Sequence, residues 1–128
     1  GFAKGSAWLK ENISVTNITA WTIDGSIYTA KPNGTINKFD GGQLQNFSLA
    51  ALDPQLNSAV KIFSGPDSTN IFILDPGQKR VIIWNKKTQK LMAQYTAEEF
   101  LDLKDFSIDE KSKTIYLLNG MKIQSVKY

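Results

Sequence analysis

The chain repeats an isoleucine–aromatic pair at a constant interval of 44 residues. The pair occurs as Ile27-Tyr28, Ile71-Phe72 and Ile115-Tyr116, and each copy opens an apolar run that a turn separates from a second apolar run. A period in the low forties with several short strands in each period is typical of the blades of a β-propeller. The sequence therefore predicts an all-β fold of about three four-stranded antiparallel blades, each about 44 residues long.

Turn residues separate the apolar runs inside each repeat. Asp24-Gly25 and Asn119-Gly120 each join two β-rich segments, and both dipeptides favour the positive φ that a two-residue hairpin turn needs. The runs at 71–74, 81–84 and 115–118 are apolar on successive residues, which is typical of strands buried on both faces. Such strands suit the middle of a blade, because a neighbouring blade covers each of its faces.

The repeats divide the chain, which has the length of one domain, into three blades and an N-terminal segment. The predicted bounds are 18–52 for blade 1, 58–97 for blade 2, 104–128 for blade 3 and 1–8 for a clasp strand. In blade 1, the fourth strand is indicated by Leu44, Phe47 and Leu49. Blade 3 stops after its third strand, so we expect its outer strand to be missing and its edge to be open and adhesive.

Three blades are too few to close a ring, because propellers contain about four or more blades. One hypothesis is a homodimer that forms a six-bladed ring, in which each N-terminal strand completes blade 3 of the other chain by strand exchange. The other hypothesis is that the chain is the C-terminal half of a longer six-bladed propeller, whose missing half supplies that strand. The residues expected in the assembly clasp are Phe2, Trp8, Ile123 and Val126.

Cysteine and histidine are absent from the 128 residues. Their absence excludes disulfides, thiolate metal sites and a Ser-His-Asp triad, and it removes the most common general base and metal ligand at neutral pH. The sequence also contains no glycine-rich phosphate-binding loop and no zinc-ligand spacing. We therefore expect a protein that is not an enzyme and that carries no metal and no cofactor.

The net charge is +3, and a single arginine, Arg80, accompanies 14 lysines. A basic chain is compatible with nucleic-acid binding. Specific readers of nucleic acids, however, rely on arginine for bidentate contacts to phosphates and guanine, so nucleic-acid binding is a minor hypothesis. No apolar run approaches the roughly 20 residues of a membrane-spanning helix, so no membrane span is expected in this segment.

The segment 70–84 resembles an NHL-type propeller repeat. In that repeat a strand ends in aspartate, a short turn leads to an arginine, and the next strand ends in an aromatic residue, as at Asp75, Arg80 and Trp84. The resemblance covers one blade. At the aspartate and arginine positions the other blades hold Lys31 and Thr35 in blade 1 and Asn119 and Lys122 in blade 3. The resemblance implies a six-bladed propeller that binds proteins or, in some members, RNA, with metal-dependent lactonases and lyases among the related folds.

Two groups of charged residues are candidate sites. Asp75 and Arg80 flank one turn, where we expect a turn-stabilising ion pair, with a ligand-binding pair as the alternative. Four carboxylates are expected in a solvated connector between blades, with a Ca²⁺ site as the alternative: Glu98, Glu99, Asp102 and Asp105. The leading hypothesis is therefore a non-enzymatic propeller scaffold that binds proteins. The alternatives are a fragment of a metal-dependent six-bladed hydrolase or lyase and a weak nucleic-acid binder.

Overall fold

The computed structural model describes Trp8, residues 18–56 and residues 58–128, and strands dominate these residues. The strands are β1 (Ala20–Ile23), β2 (Ile27–Ala30), β3 (Ile36–Asp40), β4 (Gln43–Leu44), β5 (Lys61–Phe63), β6 (Asn70–Asp75), β7 (Arg80–Asn85), β8 (Leu91–Thr96), β9 (Leu103–Asp109), β10 (Thr114–Asn119) and β11 (Lys122–Lys127). A 3-10 turn at Pro76–Gln78 joins β6 to β7. The predicted all-β class is confirmed, and no described segment is a helix that is long and apolar enough to cross a membrane.

The strands form three antiparallel sheets in which each strand pairs with the next one along the chain. Blade 1 has the order β1-β2-β3-β4, blade 2 the order β5-β6-β7-β8, and blade 3 the order β9-β10-β11. Strand β5 contacts both β1 and β9, so blade 2 lies between the other two. Among the described residues blade 3 has three strands, and β11 forms its outer edge.

The apolar core lies between the blades. The first core fills the space between blades 1 and 2, and the second core fills the space between blades 2 and 3. Successive apolar residues of β6 and β7 point alternately into the first core and the second core. Ile71, Ile73, Ile82 and Trp84 belong to the first core, and Phe72, Leu74, Val81 and Ile83 belong to the second. The runs 71–74 and 81–84 are apolar at every position because both faces of β6 and β7 are covered.

The fourth strand of blade 1 is shorter than the sequence predicts. Strand β4 ends at Leu44, and Phe47 and Leu49 lie beyond it, partly buried against the first core. The chain leaves the sheet here because blade 2 holds it. Gln89 accepts hydrogen bonds from the backbone N–H groups of Ser48 at 2.8 Å and Ala50 at 2.9 Å. The indole Nε1 of Trp84 also donates to the carbonyl of Ala50 at 3.1 Å.

Candidate assembly surfaces and inter-blade clasps

Asp75 and Arg80 form a buried ion pair at the end of the β6–β7 hairpin. The two residues lie directly opposite each other in the strand register. Arg80 Nε donates to Asp75 Oδ2 at 2.8 Å, and the two side chains are 1% and 0% exposed. The sequence places both residues at one turn, but it does not show that they are shielded from water. The only available signal is that the sole arginine of a lysine-rich chain stands here, since a planar guanidinium suits buried ion pairs better than an ammonium.

The guanidinium of Arg80 also holds the connector that leads into blade 2. Its Nη2 donates to the carbonyl of Pro54 at 2.7 Å, and its Nη1 donates to Gln94 Oε1 on β8 at 2.8 Å. On the other side of the pair, the hydroxyl of Ser58 donates to Asp75 Oδ1 at 2.7 Å. One buried pair therefore joins the hairpin, the outer strand and the connector.

Blade 3 uses neutral amides for the same purpose. Asn119 stands where Asp75 stands in blade 2, and its Nδ2 donates to the carbonyl of Glu99 and to Gln124 Oε1, both at 2.7 Å. Its Oδ1 accepts the backbone N–H of Asp102 at 2.9 Å. The connector between blades 2 and 3 is thus tied to the blade 3 hairpin without a buried charge.

A second polar cluster joins blade 1 to blade 2. Asp24, in the β1–β2 turn, accepts hydrogen bonds from Lys86 Nζ at 2.6 Å and from Ser64 Oγ at 2.7 Å. Lys86 Nζ also donates to Ser64 Oγ at 3.1 Å and to the carbonyl of Gly65 at 3.0 Å. Burial alone would raise the pKa of Asp24, but the hydrogen bonds from Lys86, Ser64 and the Ser26 backbone outweigh it and lower the pKa below 3.8.

The lowered pKa predicts an acid-sensitive contribution of Asp24 to stability. A carboxylate whose pKa is lower in the folded state stabilises that state above its unfolded pKa, and the contribution disappears as the pH falls through the folded value. We expect Asp24→Asn to lower the free energy of unfolding by about 1–3 kcal/mol near neutral pH. The difference from wild type should shrink below about pH 3.8.

Urea unfolding of both proteins between pH 2 and 7 measures this difference. Lys86→Met, which removes the cation but keeps the hydrogen bonds from Ser64 and Ser26, should also lower stability near neutral pH, and its difference from wild type should likewise shrink in acid. A difference between wild type and Asp24→Asn that stays constant down to pH 2 would contradict the prediction.

The predicted carboxylate group is dispersed in the structure. Asp105 accepts a hydrogen bond from Lys61 Nζ, which also donates to the carbonyl of Phe106 at 3.1 Å. The Lys61 hydrogen bond lowers the pKa of Asp105 despite partial burial. Asp102 lies 3.5 Å from the ammonium of Lys104. Within the described part of the chain, no three acidic, histidine or cysteine side chains come together in a metal-binding arrangement.

Blade 3 exposes the face that points away from blade 2. The strand register and the 44-residue period make Tyr116 the counterpart of Tyr28 and Phe72. Tyr116 is 44% exposed, whereas Tyr28 is 2% exposed and Phe72 is 0% exposed. Ile123 is the counterpart of Val81, and their exposures are 77% and 0%. Residues paired directly across strands point to the same face. The open face of blade 3 is therefore formed by Ser107, Tyr116, Leu118, Ile123 and Ser125.

The residues predicted for the assembly clasp fall in different environments. Ile123 lies on the open face of blade 3, whereas Val126 points to the opposite face and packs against the second core with Tyr128. Trp8 is 43% exposed and its ring packs edge-on against Phe39, with 6.3 Å between the ring centroids. Phe2 lies outside the described residues.

Blade 1 also has a face that points away from blade 2. It is formed by Trp21, Ile23, Ile27, Thr29, Asn37 and Phe39, according to the strand register. Trp21 and Ile23 are more than half exposed. Trp8 lies at the outer end of this open face, where it contacts Phe39 on β3. The described chain therefore ends in an apolar, partly exposed face on each terminal blade.

The chain matches no known protein-family model and no curated protein sequence. Its structure is similar to solved β-propeller proteins, among them the following three. Kluyveromyces lactis Hsv2 is 14% identical with a TM-score of 0.60, and the match covers 88% of this chain and 33% of Hsv2. Kuenenia stuttgartiensis hydrazine synthase is 10% identical with a TM-score of 0.66, and the match covers 99% of this chain and 36% of that one.

The third is the extracellular domain of the putative hybrid two-component system BT3049 from B. thetaiotaomicron. It is 16% identical with a TM-score of 0.64, and the match covers 94% of this chain and 19% of that one. The chain thus spans about a third of the Hsv2 chain. Identities this low show the fold alone, and the resemblance to NHL-type repeats stays a prediction. The chain has the fold of a three-bladed part of a β-propeller.

Proposed function

We propose that the chain is a non-enzymatic β-propeller module that binds proteins, and that a second copy completes its six-bladed ring. The observation that supports this most directly is the open face of blade 3. Its apolar residues correspond to residues that are fully buried in blade 2. A face built like an inter-blade surface is best covered by another blade.

The second copy offers a matching surface. In two chains related by a two-fold axis, the open face of blade 3 of each chain meets the open face of blade 1 of the other. Tyr116, Leu118 and Ile123 would then face Trp21 and Ile23 of the second copy. Both sets are exposed in one chain, so their contact removes apolar surface from water at two equivalent interfaces.

The position of Trp8 supports exchange of the N-terminal strand. Trp8 contacts Phe39, which corresponds to Val126 in the strand register of blade 3. In the second core, Val126 shares its environment with Tyr95 of the fourth strand of blade 2. Trp8 would thus take a place like that of Tyr95, in the fourth strand of a preceding blade. Residues 2–8 of one copy would then pair with β11 of the other.

The mass in solution, measured by light scattering after size exclusion, tests ring closure. We expect a mass near twice the 14.3 kDa of the chain. Ile123→Asp should raise the dimer dissociation constant by at least about 100-fold, because it buries an unpaired charge at both interfaces. Met121→Asp is the matched control, because Met121 lies two residues away at the hairpin turn and is 99% exposed.

Mixing two variants tests which faces meet. Trp21→Asp damages the open face of blade 1 and Ile123→Asp damages that of blade 3, so neither variant should dimerise alone. A mixture should form heterodimers, since one of the two interfaces is then intact. Failure of the mixture to associate, with each variant folded, would contradict pairing of blade 1 with blade 3. A dimer that persists without residues 1–8 would contradict strand exchange.

Several observations favour protein binding over catalysis. The chain contains neither histidine nor cysteine, the side chains that most often serve as general base and as reactive nucleophile. Loops on the rims of a rigid scaffold are common recognition surfaces. Elemental analysis of the purified protein checks the enzyme alternative. A stoichiometric divalent metal would favour the metal-dependent hydrolase or lyase over the proposed binding module.

A further inference from the structure

A cleft of about 560 Å³ opens between β3 of blade 1 and the connector that leads to blade 2. The apolar residues of its lining belong to or pack against the first core: Ile36, Phe47, Leu49, Leu52, Leu56 and Trp84. Thr35, Asn37, Ser48 and Gln55 contribute to the polar part of the lining, and none of the described lining side chains carries a charge. The volume falls in the range of roughly 300–1,000 Å³ that is typical of ligand sites.

The cleft follows a stretch of β3 that the short fourth strand does not cover. In blade 2, β8 pairs with β7 along its length, from Arg80 opposite Thr96 to Trp84 opposite Leu91. In blade 1, β4 pairs only with Phe39 and Asp40, and the carbonyl of Lys38 accepts one more bond from the N–H of Gln45 at 2.8 Å. Within the described chain, the pairing of β3 with its outer neighbour goes no further.

The backbone of Ile36 faces the cleft. Alternate residues of an antiparallel strand direct their N–H and C=O groups to the same side. The carbonyl of Lys38 points toward β4, so the N–H and C=O groups of Ile36 point to that side as well. In blade 2, the counterpart of Ile36 is Val81, and Tyr95 on β8 lies opposite Val81. Phe47, which the sequence aligns with Tyr95, packs edge-on against Tyr28 instead, at 5.7 Å between ring centroids.

We infer that this blade 1 cleft binds an extended, uncharged peptide segment of a partner protein, which adds to β3 as an antiparallel strand. The inference rests on the proposed protein-binding function and names its site and ligand class. Strand addition uses main-chain hydrogen bonds for affinity and side-chain pockets for specificity. Here the unpaired edge of β3 would supply the hydrogen bonds, and the apolar side chains of the lining would supply the pocket.

The residues that line the cleft also determine which peptide side chain fits. In blade 2, Tyr95 lies opposite Val81 and points toward the second core. By the same register, a peptide residue opposite Ile36 would point toward the first core. It meets Leu49, Leu56 and Trp84, so an aromatic or large aliphatic side chain fits. A charged side chain would lose its hydration and find no counter-charge among the described lining residues, which is costly.

A synthetic peptide with the sequence of residues 91–96, Leu-Met-Ala-Gln-Tyr-Thr, is a suitable probe because it already forms the fourth strand of blade 2. Fluorescence anisotropy of the labelled peptide with the full chain measures binding. We expect saturable binding. Methylation of the tyrosine N–H, which removes one main-chain donor and keeps the ring, should weaken binding at least about tenfold. Replacement of the tyrosine by glutamate should weaken it by a similar factor.

Protein variants locate the site. Ala51 is exposed on the rim of the cleft, and Ala51→Trp should block it and weaken binding at least about tenfold. Glu98→Trp, at an exposed position in the next connector, is the matched control and should bind within about twofold of wild type. Absence of saturable binding overturns the inference. So does binding that Ala51→Trp leaves unchanged, because the peptide would then occupy another surface, such as the outer edge of β11.

The mass of each sample separates this inference from ring closure. A monomer that binds the peptide in the cleft would contradict the second-copy proposal and leave the cleft as a peptide site. A dimer that does not bind the peptide would support the second-copy proposal and overturn the peptide site.

Discussion

Replacement of Arg80 by methionine is expected to lower the free energy of unfolding by about 3–5 kcal/mol. Among the described residues, the variant leaves the buried carboxylate of Asp75 with only the Ser58 hydroxyl as a side-chain partner. It also removes the donors to Gln94 and to the carbonyl of Pro54. Urea unfolding followed by tryptophan fluorescence measures the loss.

Two further variants separate the buried charge from the lost contacts. Asp75→Leu combined with Arg80→Met removes both charges, and this double variant should be less destabilised than the sum of the two single variants. Lys104→Met breaks the exposed pair with Asp102 and should change stability by less than about 1 kcal/mol. An Arg80→Met protein as stable as Lys104→Met would show that the pair is not buried as the structure has it.

Phe72→Ala is expected to cost about 3–5 kcal/mol, as is typical of a truncated aromatic residue in a core. Phe72 is fully buried between blades 2 and 3. Its ring packs against Tyr128 at 5.1 Å and against Phe63 at 6.2 Å, measured between ring centroids. Loss of the ring leaves a cavity in the only core that holds blade 3 against blade 2 in the described residues, so unfolding in urea should shift to much lower concentration.

Met121→Ala is the control for this prediction. Met121 is almost fully exposed at the β10–β11 turn, and its truncation should change stability by less than about 0.5 kcal/mol. If Phe72→Ala costs as little as Met121→Ala, the second core is not packed as described. A loss of near-ultraviolet circular dichroism at tyrosine wavelengths would accompany the expected destabilisation, because Tyr128 loses its aromatic neighbour.

Local patterns were sufficient to predict most strands. The alternation or continuity of apolar residues, and hairpin pairs such as Asn119-Gly120, depend on a few neighbouring residues. The length of β4 could not be predicted this way. The chain leaves blade 1 after Leu44 because Gln89 and Trp84, some 40 residues further on, bind the backbone at Ser48 and Ala50. The cleft beside β3 results from these distant contacts.

The candidate sites also combine features that local sequence predicts with features that depend on distant contacts. Asp75 and Arg80 can be assigned to one turn from the sequence, but the contact of Arg80 with Pro54 depends on the path of the connector. The cluster of Asp24, Ser64 and Lys86 has no sequence signal, because its members come from two blades. Ile123 and Val126 both belong to the predicted clasp on β11, and their odd spacing along the strand turns their side chains to opposite faces.

The sequence by itself determined the repeat, the all-β class and the positions of the strands, because these follow from short-range periodicity and turn chemistry. Only the tertiary structure decided which repeated residues are covered. Tyr28 and Tyr116 both follow an isoleucine at the same point of the repeat, but Tyr28 is 2% exposed and Tyr116 is 44% exposed. Blade 2 covers Tyr28, whereas no blade of this chain covers Tyr116 in the described residues. The burial of a residue depends on which blade packs against its face of the sheet. The sequence of a single repeat does not contain that information.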